Sequence, residues 1–282
     1  NMEIKIVTDS TSDLDKDTAK NLSVEIVPLN VHFGDEVYKD GIEINSDDFF
    51  DKLINGTVFP KTSQPSVGEF IDVYEKLGND GSDIISIHIS DQLSGTINSA
   101  RQAAKHLEGK IKVHIIDSKQ ISISLGLITI SAATAVKEGK TLNEVLDLTE
   151  SLIARSHVFT ALDTLEYLEK GGRIGKAKSL VGKILNFKPI IGSADGIIDA
   201  FGRGRSNTAC MIKLEELVKS TGEIESIGIV YSTDKSLADK FSEQITQNLK
   251  LEKPPKSYQI GPVIGVYGGP NVIGVGIISK NL

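Results

Sequence analysis

The feature that most constrains the fold is a repeated alternation of short apolar runs, hydroxyl-rich loops and helical segments in the first half of the chain. The apolar runs cover residues 4–8, 83–89 and 113–116, and each leads into a loop of Ser, Thr and Asp residues. Their β-branched composition favours strands. Because strands that alternate with helices pair through crossover connections, this order predicts a parallel sheet.

Local signals refine this prediction. Ser66 with Glu69 and Thr141 with Glu144 match the capping box, in which a hydroxyl and a carboxylate three residues later satisfy exposed backbone donors, so both pairs predict helix starts. Ser12 is interpreted as a further cap. An antiparallel hairpin at the sheet edge is predicted for the alternating segments 24–29, 31–33 and 36–39, which surround Gly34-Asp35.

The pattern changes after about residue 160, where strand candidates are separated by longer helices and one explicit hairpin turn, Ser193-Ala194-Asp195-Gly196. The predicted strands are 158–162, 188–191, 197–201, 226–231, 263–267 and 272–278, and the predicted helices are 176–186, 207–219 and 235–248. The sequence therefore predicts an α/β protein of two domains. Residues 1–157 would form a parallel-sheet domain with the hairpin insertion, and residues 158–282 a domain with a mixed or antiparallel sheet.

Composition excludes several classes of protein. The net charge is −7 and only 5% of residues are aromatic, which argues against a general nucleic-acid binder with a basic face and stacking rings. The single cysteine, Cys210, needs no oxidising compartment, and the N-terminal residues contain no secretory signal, so we expect a cytoplasmic protein. The apolar stretch 121–136 is too short to span a membrane and is predicted to be a buried helix.

Familiar catalytic and cofactor motifs are missing. The sequence contains no phosphate-binding P-loop, no Gly-x-Ser-x-Gly nucleophile elbow and no Gly-x-Gly-x-x-Gly dinucleotide motif. The five histidines are scattered without metal-ligand spacing, so no metal site is expected. Cys210 lies in a helix-like run, where a small buried residue is the expected role.

Loops at the carboxyl edge of a parallel sheet are the usual place for a ligand, because helix N-termini direct backbone donors there. Thr62 and Ser94 are the strongest candidates, and Asp9, Ser10 and Asp117 are weaker ones. These loops contain many hydroxyls, two lysines and no arginine, which suits one carboxylate better than a triphosphate. The same residue types also favour caps and turns without any ligand, so both interpretations stay open.

The second half offers arginines beside glycines, at Arg173 in Gly171-Gly172-Arg173 and at Arg203 and Arg205 after a predicted strand. Such arginines can bind phosphates or acidic partners, or lie solvated on the surface. Segment 260–271 contains four glycines and two prolines, which is typical of a close approach of the backbone or of a tight turn.

Taken together, these stretches resemble the DegV family of bacterial fatty-acid-binding proteins. The resemblance is carried in family order by Thr8-Asp9-Ser10, Thr62-Ser63-Gln64-Pro65-Ser66, Leu93-Ser94-Gly95-Thr96, Lys170-Gly171-Gly172-Arg173-Ile174, Lys188-Pro189-Ile190 and the terminal glycine motif. It implies a two-domain carrier, without catalytic residues, cofactor, metal or stable membrane insertion. One long-chain fatty acid would lie with its carboxylate on the first domain and its tail in the second.

By position, the resemblance assigns the carboxylate to Thr62, Ser94 and Tyr267, supported by Asp9, Ser10, Ser63, Gly95 and Thr96. It assigns Arg173, Arg203 and Arg205 to a basic surface that docks a separate ATP-binding fatty acid kinase subunit, which makes an acyl phosphate for phospholipid synthesis. Tyr267 departs from the histidine that is usual at its position. A tyrosine still donates a hydrogen bond, but it stays uncharged where an imidazole could carry charge.

Two alternatives stay open at this stage. The first is a stand-alone small-molecule transferase or hydrolase that uses Ser94 or Asp9 at the same loop edge. Against it, His88 lies six residues before Ser94 along a predicted strand, roughly 20 Å away, and no other base is in sight. The second is a structural or regulatory module that binds a polar metabolite in an open cleft.

Overall fold

The alternating strands and helices of the first half form a parallel sheet, as predicted. The computed structural model describes residues 3–182 and 186–282. The elements of the first half are β1 (Ile4–Asp9), α1 (Lys16–Asn21), β2 (Val24–Val27), β3 (Asn30–Phe33), β4 (Glu36–Lys39), α2 (Ser46–Asn55), β5 (Lys61–Ser63), α3 (Val67–Gly78), β6 (Asp83–His88), α4 (Thr96–His106), β7 (Val113–Asp117), α5 (Ile123–Lys137) and α6 (Leu142–Ala154). The sheet has the order β2-β1-β6-β7, and every neighbouring pair in it is parallel.

The second half forms a six-stranded mixed sheet. Its elements are β8 (Ser156–Ala161), α7 (Glu166–Lys170), β9 (Lys188–Ala194), β10 (Ile197–Gly204), α8 (Asn207–Ser220), β11 (Ile224–Tyr231), α9 (Lys235–Asn248), β12 (Lys256–Gln259), α10 (Pro262–Gly268) and β13 (Ile273–Ser279). The order is β10-β9-β8-β13-β11-β12, with only β11 and β12 parallel. The sheet type therefore changes near the predicted boundary, while the division into domains at residue 157 stays a prediction.

The predicted hairpin insertion is only partly right. β3 and β4 pair around Gly34-Asp35 as predicted, but they form a separate small sheet of order β4-β3-β5 instead of extending the main sheet. β2 does not belong to the hairpin, because it pairs in parallel with β1. Its buried residues, Val24 and Val27, pack in the main core, which explains why this short apolar strand joins the larger sheet.

Helix α5 connects the two larger sheets. It contacts β1 and β6 on one side and β8, β11 and β13 on the other, and most of its residues are buried. A Cβ atom on Gly276 of β13 would lie 2.6 Å from Ile123 Cγ2, so the absence of a side chain allows the helix to approach the sheet closely. The prediction of a buried helix in segment 121–136 is confirmed, as are both capping boxes.

Three other predictions are corrected. Segment 263–267 is the helix α10 rather than a strand, because Pro262 favours the first turn of a helix and Gly265 allows the helix to pack directly on Phe49. The first part of the predicted helix 176–186 belongs to a 3₁₀ helix, Gly175–Leu180, and residues 183–185 lie outside the described part of the chain. Ser12 caps nothing, since the side chain of Asp9 caps the 3₁₀ turn Ser10–Ser12 and that of Asp15 caps α1.

Candidate functional site

A cavity with a polar mouth lies where loops from both halves of the chain meet. The space between its lining atoms is about 540 Å³, a volume that includes the part open to solvent. Its polar lining includes both sequence-predicted hydroxyl residues, Thr62 on β5 and Ser94 before α4, together with Tyr267 on α10. Residues that are 205 positions apart are therefore brought together at one site.

The hydroxyl groups at this cavity form hydrogen bonds with neighbouring hydroxyl and amide groups. Thr62 Oγ1 and the Tyr267 hydroxyl are hydrogen-bonded to each other. Ser94 Oγ lies 2.9 Å from Thr96 Oγ1 and accepts a hydrogen bond of 3.2 Å from the Thr96 amide. Each hydroxyl keeps hydrogen-bonding capacity for a ligand, because a hydroxyl group can donate one hydrogen bond and accept two.

Two of the predicted support residues, Ser63 and Gly95, lie against other side chains near the cavity. Ser63 lines the cavity, and its hydroxyl lies 2.7 Å from His32 Nε2 across the small sheet. Gly95 lies against Gln64, whose Oε1 would be 2.7 Å from a Cβ atom at that position. The glycine thus allows the loop before α4 to approach the loop after β5, and any larger residue would push Gln64 away from the cavity.

Arg173 lies at the mouth of this cavity, next to the hydroxyl groups. Its Nε donates to the Leu93 carbonyl at 3.3 Å, one terminal nitrogen donates to the Gly171 carbonyl at 2.8 Å, and the guanidinium lies 5.6 Å from the Tyr267 ring centre. The other two predicted docking arginines lie elsewhere. Arg203 and Arg205 both stack on Phe187, at 4.6 and 5.2 Å from its ring centre, and neither lines the cavity.

Asp9 and Ser10 do not line the cavity. Asp9 is fully buried and accepts hydrogen bonds from the amides of Thr11 and Ile89, at 2.9 and 3.1 Å. Thr11 does line the cavity, so Asp9 is hydrogen-bonded to a residue of the cavity wall. Sequence reasoning missed Thr11, although its position two residues after an aspartate is typical of an Asx-turn. The Ser10 hydroxyl accepts from the Leu29 amide at 3.0 Å.

A buried network around Asp9 bears on the enzymatic alternative. His88 Nδ1 lies 2.9 Å from Asp9 Oδ2, and its Nε2 lies 2.6 Å from Ser86 Oγ, which in turn contacts the Tyr74 hydroxyl at 2.8 Å. Ser86, His88 and Asp9 have no solvent exposure, and none of them lines the cavity described above. The two ring nitrogens of His88 contact Asp9 and Ser86 instead of Ser94.

A second cavity adjoins the first and is lined almost entirely by apolar side chains. It encloses about 510 Å³ and lies against the mixed sheet, between β8, β9, β10 and α10. Five side chains line both cavities: Ile121, Leu168, Ile198, Ile264 and Tyr267. The site therefore runs from a cavity with polar groups in its lining to an apolar cavity formed mostly by the second half of the chain.

Other candidate chemistry finds no support in the described residues. Over residues 3–182 and 186–282, no group of three or more His, Cys, Asp or Glu side chains is arranged to hold a metal ion. Cys210 is a buried free thiol, and burial raises its pKa, which opposes a role as a nucleophile. In the same residues, no helix combines the length and apolar character needed to cross a membrane.

The fold and the cavity define an α/β protein with a parallel and a mixed sheet and an amphipathic internal site. A sequence model described as "Uncharacterised protein, DegV family" matches residues 3–280. A DegV domain-containing protein of Staphylococcus aureus (strain N315) is 36% identical over 281 residues, which cover 98% of each chain. The chain belongs to the DegV family.

Solved structures extend this similarity to the fold. A DegV family protein from Thermus thermophilus, described as fatty acid binding, superposes with a TM-score of 0.93 at 32% identity and covers 99% of this chain and 100% of its own. A stearic acid-binding protein from Eubacterium ventriosum superposes with a TM-score of 0.92 at 30% identity, covering 98% of both chains. Solved structures of this family thus bind fatty acids, and the predicted fold class is confirmed.

Proposed function

We propose that this protein binds one long-chain fatty acid, with its carboxylate at the polar mouth and its tail in the apolar cavity. The observation that carries the proposal is the adjoining pair of cavities, one with several hydroxyl groups in its lining and the other lined almost entirely by hydrocarbon side chains. An amphiphile with one polar end matches this order. The fatty acids bound by the relatives from Thermus thermophilus and Eubacterium ventriosum support the same ligand class.

In this proposal the head group sets the orientation of the ligand. Thr62 and Ser94 donate hydroxyl hydrogen bonds to the carboxylate, and Tyr267 holds Thr62 in place. Arg173 contributes a positive charge at the mouth. Its place there suggests a role at the head group in addition to the docking role inferred from the resemblance. Charge-assisted hydrogen bonds contribute about 1.5 to 3 kcal/mol each when shielded from water, and less at an open mouth.

The tail supplies most of the affinity. Burying about 14 methylene groups at roughly 0.8 kcal/mol each offers about 11 kcal/mol before the costs of association and ordering. This exceeds the contribution of two head-group hydrogen bonds, about 3 to 6 kcal/mol together. The protein is therefore proposed to be a carrier without chemistry of its own. The polar mouth would select ligands with a carboxylate, and the apolar cavity would select the length of their hydrocarbon chain.

We further propose that this carrier acts in the cytoplasm and presents the bound carboxylate to a separate ATP-binding fatty acid kinase subunit. The kinase would transfer the γ-phosphoryl group of ATP to a carboxylate oxygen and release ADP. Arg203 and Arg205, which are exposed beside Phe187, are the proposed docking residues.

Trapping the acyl phosphate with hydroxylamine, in mixtures of this protein with a purified kinase subunit, tests the phosphoryl transfer. A Tyr267→His variant tests whether imidazole increases its rate.

Replacing Ser94 by alanine is expected to weaken the preference for a fatty acid over the matching fatty alcohol by about fivefold to tenfold. One hydrogen bond to the carboxylate, worth about 1 to 1.5 kcal/mol, is lost while the apolar cavity is unchanged. Displacement of a fluorescent fatty acid by each competitor measures the ratio. Ser220→Ala, an exposed serine on α8, is the control. An unchanged ratio in Ser94→Ala contradicts the assignment of Ser94.

A further inference from the structure

Two carboxyl groups are buried side by side at the beginning of α10. Asp13 and Asp40 are only 7% and 4% exposed. A Cβ atom on Gly261, the residue before α10, would lie 3.1 Å from Asp13 Oδ1 and 3.3 Å from Asp40 Oδ1. Both carboxyl groups therefore face the same stretch of backbone.

These carboxyl groups connect α10 to the rest of the protein. Asp13 accepts hydrogen bonds from the Gly261 amide at 2.9 Å and from the Ser122 hydroxyl, just before α5, at 2.6 Å. Asp40 lies against the Val263 amide and the Ser10 hydroxyl, yet its Oδ2 makes no hydrogen bond although it is buried. The two carboxyl groups thus hold the beginning of α10, but one of their oxygen atoms, Asp40 Oδ2, lacks a hydrogen-bond partner.

This pair has no compensating cation in the part of the chain that the structure describes. Within residues 3–182 and 186–282, neither carboxyl group forms an ion pair. A cavity of about 1400 Å³, open to solvent, reaches both groups. The other charged groups that face the pair are Asp9 of β1, Asp15, Lys16 and Lys20 at α1, and Glu25 of β2, while α2, α10, β12 and the start of α5 contribute no charge there. Asp15 and Glu25 are paired with Lys256 and Lys76.

Burial is the main cause of a raised pKa at both positions. Burial, together with the negative charges of nearby carboxylates, outweighs the hydrogen bonds that lower the pKa, so that the pKa of Asp13 is raised to about 8 and that of Asp40 to about 7. A carboxyl group with a raised pKa binds its proton more tightly when buried than when hydrated. The buried arrangement therefore loses stability relative to a hydrated one as the pH rises from about 4 to about 8.

Helix α10 links this pair to the proposed ligand site. Val263, Ile264 and Tyr267 line the polar-mouthed cavity, and Ile264, Tyr267 and Gly268 line the apolar one. Ser122, which donates to Asp13, also lines the apolar cavity. Displacement of the beginning of α10 would therefore open both parts of the site.

We propose that Asp13 and Asp40 form a proton-controlled latch that holds α10 closed over the fatty acid and releases it when the protons are lost. The inference rests on the proposed function and adds its regulation. Bound fatty acid exchanges slowly when the pair is protonated and faster at higher pH. Between the pKa of the hydrated carboxyl group and that of the buried one, the equilibrium constant for opening rises by up to about tenfold per pH unit for each proton that opening releases.

The test is the dissociation rate of a bound fluorescent fatty acid, measured by stopped-flow between pH 5.5 and pH 9. We expect the wild-type rate to rise at least tenfold across this range and the rise to be lost in Asp13→Asn and Asp40→Asn. Asp15→Asn, at the same cavity but outside the latch, should retain the wild-type profile. Wild-type slopes in both latch variants overturn the proposal.

Two further measurements keep the proposal testable if these variants fold poorly or no lipid binds. Ser122→Ala removes a hydrogen bond that lowers the pKa of Asp13, so the midpoint of the rise in dissociation rate with pH should move to higher pH. An unchanged midpoint counts against the latch. Hydrogen exchange of the ligand-free protein, corrected for intrinsic rates, should show protection of α10 falling with pH relative to α9. Constant relative protection overturns the latch, whereas failure to bind fatty acid overturns the proposed function alone.

Discussion

Replacing Gly268 by leucine is expected to reduce the affinity for long-chain fatty acids by roughly 200-fold while the fold stays intact. Gly268 ends α10 and lines the apolar cavity, and a Cβ atom there would touch only Val272 Cγ2, at 3.4 Å. A leucine side chain can therefore occupy the space proposed for the tail. Displacing about four methylene groups at roughly 0.8 kcal/mol each costs about 3 kcal/mol of binding free energy.

Titration of the delipidated variant with fatty acids of increasing length measures this effect. The loss should be large for long chains and small for short ones, because Gly268 lines the apolar cavity and not the polar-mouthed one, so only a tail that enters the apolar cavity meets the new side chain. Gly68→Leu is the matched control, since Gly68 is exposed on α3 and a Cβ atom there meets nothing closer than 3.9 Å. Equal losses at every chain length would contradict a tail in this cavity.

Replacing Arg173 by methionine should weaken fatty acid binding by about fivefold to thirtyfold and leave fatty alcohol binding nearly unchanged. Methionine keeps an apolar stem but removes the positive charge beside Thr62, Ser94 and Tyr267. The effect corresponds to about 1 to 2 kcal/mol, because solvent at the mouth screens the interaction.

Competition assays with an acid and an alcohol of equal length measure this difference. Arg101→Met is the control, since Arg101 is an exposed arginine that pairs with Asp91. If Arg173→Met lowers the affinity for both ligands equally, Arg173 supports the structure of the mouth instead of the charge of the head group. Salt should weaken acid binding in the wild type more than in the variant.

Much of the fold could be predicted from the sequence, because many of its strands and helix starts are determined by residues that are close together in the chain. The parallel sheet follows from apolar runs that alternate with helices, and both capping boxes start helices as predicted. The prediction failed at α10, where the β-branched residues Val263, Ile264 and Val266 favour a strand. The helix forms because Pro262 starts it and because Gly265 packs against the aromatic rings of α2, a contact that depends on distant residues.

The candidate site was predictable only in part for the same reason. Thr62 and Ser94 lie in hydroxyl-rich loops that the sequence indicates, and they do line one cavity. The position of Arg173 at the mouth depends on how the loop after α7 folds back to the Leu93 carbonyl, which no local pattern reveals. The approach of Asp13 and Asp40 at Gly261 likewise joins segments that are far apart in the chain.

The most direct test of the central claim is native mass spectrometry of the protein purified without added lipid, followed by extraction and identification of any bound molecule. The account predicts one long-chain fatty acid per chain, lost in Gly268→Leu and retained in Gly68→Leu. A protein that carries no fatty acid, and that takes up none from an excess in solution, would contradict it.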